Sequence, residues 1–134
     1  ETEHLMVAAI ARYHRRSLPK KRHESWQLIE DRDDRRTVLS MALLLRLAAS
    51  LDRRPGALIE ALTVRADGPV SAPTGLTVTL QPRPPEPGEP APDPELERWS
   101  LRSCAELVLE STGLQLRVDG PEGLSDPASA RPDR

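Results

Sequence analysis

The 134-residue sequence predicts an α+β fold in two parts, a helical stretch over 1–56 and a small β-β-α-β unit over 57–119. Two observations carry this reading. Apolar residues recur at three-to-four spacing before Gly56 and alternate after it. The charge changes sign at the same place: residues 1–56 hold 12 Lys/Arg and 8 Asp/Glu, whereas residues 57–134 hold 7 and 13. The whole chain, at −2, is neither a polybasic binder nor an acidic tail. Its aromatics are Tyr13, Trp26 and Trp99, so the core must be built from Leu, Val, Ile and Ala.

The first predicted helix spans Glu3 to Arg16 and stops at Ser17-Leu18-Pro19, because the residue before a proline is pushed out of the helical region. A short helical turn over Ser25 to Ile29 should carry Trp26 and Leu28 inward. Asp31 to about Arg53 is the strongest helix. Asp31, Asp33 and Asp34 open it where the macrodipole favours acids, and Pro55-Gly56 ends it. Val38, Met41, Ala42, Leu45 and Ala48, widened by Leu39, Leu43, Leu44 and Leu47, make it apolar nearly all round, as for a helix buried inside a bundle. So few residues bury such a helix poorly, which suggests a chain that begins within a larger helical domain.

After Gly56, Leu58 to Ala66 reads as a strand, Asp67-Gly68-Pro69 as a turn, and Gly75 to Leu80 as a second strand. Residues 82–94 form a proline-rich loop. Glu95 to Ser111 reads as one amphipathic helix with Leu96, Trp99, Cys104 (or Ser103), Leu107, Val108 and Ser111 on its buried side. Leu114, Leu116 and Val118 mark a third strand, and residues 120–134 are predicted to be a disordered tail.

Several function classes are excluded or weakened. No run of about 18 apolar residues exists, so a membrane-spanning helix is not expected. Glu1-Thr2-Glu3-His4 does not read as a signal peptide. Cys104 is the single cysteine, so an internal disulfide is impossible and, with three histidines, a zinc site is poorly supplied. A reducing, cytoplasmic setting is the expectation. No glycine-rich phosphate loop, serine-histidine-aspartate signature or dinucleotide fingerprint is present.

The most charged stretch runs from Arg12-Tyr13-His14-Arg15-Arg16 to Lys20-Lys21-Arg22-His23, with six Arg and Lys and no acid. Like charges this close repel, and a polyanion would offset that repulsion. A solvated helix end, with cations at the negative pole of the macrodipole, explains the same run without a ligand. A nucleic-acid role is weakened by the near absence of stacking aromatics, Tyr13 being the sole one in the run. Asp52 reads as an ion-pair member at a helix end, and Cys104 as a core residue rather than a nucleophile.

The run Ala11-Arg12-Tyr13-His14-Arg15-Arg16-Ser17-Leu18-Pro19-Lys20, then His23, then Leu43 through Arg53, resembles the exopolyphosphatase and guanosine pentaphosphate phosphatase family. The likeness is to its C-terminal, HD-type helical domain. Leu96-Glu97-Arg98-Trp99 through Gly113 to Val118 is similar to the small terminal domain that follows it. The resemblance implies a cytoplasmic, homodimeric hydrolase of inorganic polyphosphate or guanosine pentaphosphate. It places catalysis and its magnesium in N-terminal actin-like domains that this sequence does not contain. For the present chain it implies a partial HD-like helical domain that binds without cutting. The phosphate-contacting candidates are Arg12, His14, Arg15, Arg16, Lys20, Lys21 and His23. Ala49 stands where the family carries a metal-site aspartate, and Pro55 where it carries a histidine, so no metal is expected here. The alternative is a structural or dimerisation module without a ligand.

Overall fold

The computed structural model describes residues 1–15 and 17–119. It is an α+β fold of five helices and a three-stranded sheet. The helices are α1 (Thr2–Tyr13), α2 (Glu24–Gln27), α3 (Arg32–Leu51), α4 (Glu95–Arg102) and α5 (Ala105–Thr112). The strands are β1 (Ile59–Asp67), β2 (Gly75–Pro82) and β3 (Gln115–Asp119). The tail predicted over 120–134 lies outside the described residues.

Asp31 caps α3 as expected. Its Oδ1 accepts from the backbone N–H groups of Asp33 (2.8 Å) and Asp34 (3.0 Å), satisfying two of the donors a helix start leaves open. α3 is the spine of the molecule. Its first half packs with α1 and α2 in a core of Ala9, Tyr13, Trp26, Ile29, Val38 and Ala42. Leu47 and Leu51, near its other end, pack against a second core of Val78, Leu80 and Leu101.

β1 and β2 form an antiparallel hairpin in which Leu62 faces Leu80 and Val64 faces Val78. The crossover through α4 and α5 returns the chain to lay β3 parallel to β2, with Leu116 beside Leu76 and Val118 beside Val78. Gly113 ends α5 in the left-handed region (φ 74°), the usual αL stop. At Gly75 a Cβ would sit 2.8 Å from the carbonyl oxygen of Gln115, so only glycine lets β3 close on β2 there.

Four local expectations are corrected. The first helix ends at Tyr13, not Arg16, leaving His14 as its C-cap and Arg15 beyond it. Leu28 is exposed, and Ile29, fully buried, takes the inward place beside Trp26. α3 is not enclosed: Val38, Ala42 and Leu43 are covered, but Met41, Leu44 and Leu45 remain open to solvent. The predicted helix over Glu95–Ser111 is two helices. The Cys104 N–H donates to the Leu101 carbonyl three residues back, tightening the turn and shifting the phase. Within α4, Glu97, Arg98, Ser100 and Leu101 face inward while Leu96 and Trp99 face out.

Candidate functional site: a basic cleft between three helices

Tyr13 anchors the end of α1. Its ring is buried, stacked on His23 and edge-on to Trp26, and its hydroxyl lies 3.0 Å from Ser25 Oγ. With Tyr13 turned inward, His14 and Arg15 stand at the rim of a cleft of about 640 Å³. The second wall is α3 and the turn after it, which contribute Arg46, Ala49, Ser50 and Arg53. Arg46, Ala49 and Ser50, at i, i+3 and i+4, share one face of α3, and Arg53 follows in the turn beyond it. The third wall is Trp99, Ser100, Ser103 and Cys104. Cys104 and Ser50 meet where the walls join, with Sγ and Oγ 3.4 Å apart in a buried contact.

Three guanidinium groups, those of Arg15, Arg46 and Arg53, line the cleft against one carboxylate, that of Asp52. Among the described residues none of the three arginines is in an ion pair, and neither is Asp52. Arg15 Nε donates to His14 Nε2 at 3.2 Å. An accepting Nε2 leaves the proton of a neutral ring on Nδ1, which is shut off from water and has no partner among the described residues. The cleft therefore presents unpaired positive charge, hydroxyls and one imidazole in a concave setting.

Of the seven candidates read from the sequence, His14 and Arg15 line the cleft and Arg16 lies outside the described residues. Arg12 is on the last turn of α1 with its guanidinium 5.9 Å from the Tyr13 ring centre. Lys20 and Lys21 are exposed on the turn before α2, away from the cleft lining. His23 serves the fold: its Nδ1 accepts from the Lys20 backbone N–H at 3.1 Å, and its ring stacks on Tyr13. The six that are described thus do not share one site: two line the cleft and four lie outside its lining.

Arg46, Arg53 and Trp99 were not among the candidates. Arg46 carries a local signal, being on the predicted helix, and Arg53 follows that helix closely; Trp99, distant in sequence, has none. Cys104 is buried, as its reading as a core residue expects. Asp52 lines the cleft rather than pairing with Arg53 or Arg54. Among the described residues no group of three or more His, Cys, Asp and Glu is placed to hold a metal ion. No helix among them is long and apolar enough to cross a membrane. No protein-family model, curated protein or solved structure matches this chain.

Proposed function

We propose that this chain is the C-terminal, non-catalytic portion of an exopolyphosphatase-like phosphohydrolase, and that it clamps a chain of phosphates. The observation that carries the reading is the convergence of Arg15, Arg46 and Arg53, unpaired among the described residues, with His14 on one cleft. Guanidinium groups match phosphate oxygens in a bidentate fork, and a clamp that fixes the non-reacting stretch presents its end to a catalytic site elsewhere. On this reading the ligand is inorganic polyphosphate or guanosine pentaphosphate. Arg12, Lys20 and Lys21 add positive charge beyond the cleft. Bond cleavage and magnesium belong to actin-like domains of a cytoplasmic, homodimeric parent enzyme, and this chain alone releases no phosphate.

Titration calorimetry with long-chain polyphosphate across a salt series tests the clamp. The expected result is binding that weakens steeply with salt, and a shallower slope after Arg15→Ala combined with Arg46→Ala. Affinity that does not change with salt or with these substitutions overturns it.

A second reading, a dimerisation module, is favoured by a different observation. Met41, Leu44 and Leu45 are 48%, 59% and 42% exposed on one side of α3. Sedimentation equilibrium of wild type against Leu44→Glu separates the readings. A concentration-dependent dimer lost in the variant, with no polyphosphate binding in either, supports the module.

A further inference from the structure

We infer that the cleft distinguishes nucleoside polyphosphates from inorganic phosphate chains, with Trp99 as the platform for the base. The inference rests on the phosphate-clamp reading, narrows its two ligand types to the one that carries a base, and adds a specificity-determining residue. Three observations carry it.

The first is where the fold places its one exposed indole. Trp99 is 59% exposed and lines the same cleft as Arg15, Arg46 and Arg53. An exposed indole costs solvation on a soluble surface and gains most from a flat partner, and every nucleobase offers a π-face. The second is the state of the other aromatics. Tyr13 and Trp26 are buried in the first core, so neither is free to stack on a ligand. The tyrosine inside the basic run is thus unavailable, and the fold supplies the missing aromatic from the far end of the sequence.

The third observation is size. A cleft of about 640 Å³ is in the range that encloses a small molecule, and it offers a single stacking platform. A single-stranded nucleic acid wants successive platforms along an open groove. A mononucleotide with its phosphates toward the arginines and its base on Trp99 uses each feature once. Ser50 and Ser103 are also on the lining, their hydroxyls donating to the carbonyls of Arg46 and Ser100.

The test uses the full chain, with titration calorimetry for the affinities of every variant and Trp99 fluorescence as a second readout in wild type, where Trp26 is buried and Trp99 is the indole that a ligand meets. Tripolyphosphate, GTP, ATP and an eight-nucleotide single-stranded RNA are titrated separately into wild type, Trp99→Ala and Trp99→Phe. The expected result is quenching by the two nucleotides and affinities about tenfold above that of tripolyphosphate. Trp99→Ala should abolish that advantage while leaving tripolyphosphate affinity unchanged, and Trp99→Phe should keep part of it.

Equal affinities of nucleotides and tripolyphosphate in wild type overturn the inference and leave the clamp standing. Loss of tripolyphosphate affinity in Trp99→Ala also overturns it, because Trp99 would then act on the phosphate end. Tighter binding of the oligonucleotide than of either nucleotide overturns it in favour of a strand-binding groove. No binding of any of the four overturns the clamp and the inference together.

Discussion

Arg54 and Glu97 form a two-pronged ion pair that ties the chain just after α3 to α4. Arg54 Nε donates to Glu97 Oε1 at 3.0 Å, and the terminal nitrogen Nη2 donates to Oε2 at 2.6 Å and to the Asp93 carbonyl at 2.7 Å. The Glu97 side chain is 1% exposed, so the carboxylate depends on this partner for its charge to be tolerated. Because α3 and α4 are two walls of the cleft, the pair also sets the spacing between Arg46 and Arg53 on one side and Trp99 on the other. Glu97→Ala should lower Tm by about 5–10 °C, on the order expected when one partner of a buried pair is removed from a small domain. A calorimetric scan checks this, and an unchanged Tm would show that the pair holds nothing together.

The same pair gives a pH dependence of definite sign. The Arg54 hydrogen bonds hold the Glu97 carboxyl below its ordinary value of 4.5, against the opposing effect of burial. A carboxylate whose folded-state pKa is depressed contributes stability above its unfolded pKa and loses that contribution as pH falls through the folded value. Wild type should therefore exceed Glu97→Gln in urea midpoint by a constant margin at neutral pH, and the margin should shrink below about pH 4.5. A margin that is flat from pH 7 to pH 3 would remove Glu97 from the acid limb of the stability curve.

How far this structure is legible in the sequence depends on whether a residue's environment is local. The alternation of Leu76, Val78 and Leu80, and of Leu116 and Val118, shows which face of the sheet is covered, because a strand's side chains report directly on its two sides. The acidic opening of α3 likewise specifies its cap from neighbouring residues alone. Helix α4 is the counterexample. Its apolar residues Leu96 and Trp99 suggest an inward face, yet Glu97 and Arg98 are the buried ones, because Arg54 across the fold supplies the counter-charge for Glu97. Two of the five residues that the site reading uses were legible for the same reason. His14 and Arg15 belong to a visible basic run, whereas Arg46, Arg53 and Trp99 join them only once α3 and α4 are packed.

The exchange of Leu28 for Ile29 as the inward residue has a simple consequence. Ile29 is fully buried among Tyr13, Trp26 and Val38, whereas Leu28 is 55% exposed. Ile29→Ala should cost about 2–5 kcal/mol, the range for truncating a buried aliphatic residue, and Leu28→Ala under about 0.5 kcal/mol. Urea denaturation of the two variants checks the register of this turn. A larger loss at Leu28 than at Ile29 would reverse it.

Cys104 reports on the cleft without being altered. Its thiol is 6% exposed and lies against Ser50, on the floor between α3 and α4. A thiol reagent should therefore react with the native chain much more slowly than with the urea-unfolded one, since the thiol must be uncovered first. Saturating polyphosphate should slow the native reaction further by filling the space above it. Immediate stoichiometric labelling of the native chain would show that the wall is open.

Ala49 offers the sharpest single substitution. It lines the cleft at the position where the resembling family has an aspartate, one turn after Arg46 on α3 and ahead of Arg53 in the turn that follows. With alanine there, the three arginines oppose only the carboxylate of Asp52. Ala49→Asp adds a second negative charge among the phosphate-binding groups at an exposed position in the last turn of α3, where the macrodipole makes it cost about 0.3–1 kcal/mol of stability. Polyphosphate affinity should fall by about tenfold, more at low salt than at high, because the added repulsion is screened over a Debye length of about 10 Å at 0.1 M. Ala49→Ser, which adds a hydroxyl without charge, should leave affinity within about twofold. Calorimetric titration of both variants at two salt concentrations checks the sign and the screening together. Equal affinities of wild type and Ala49→Asp at low salt would mean that the phosphate chain does not pass through this cleft.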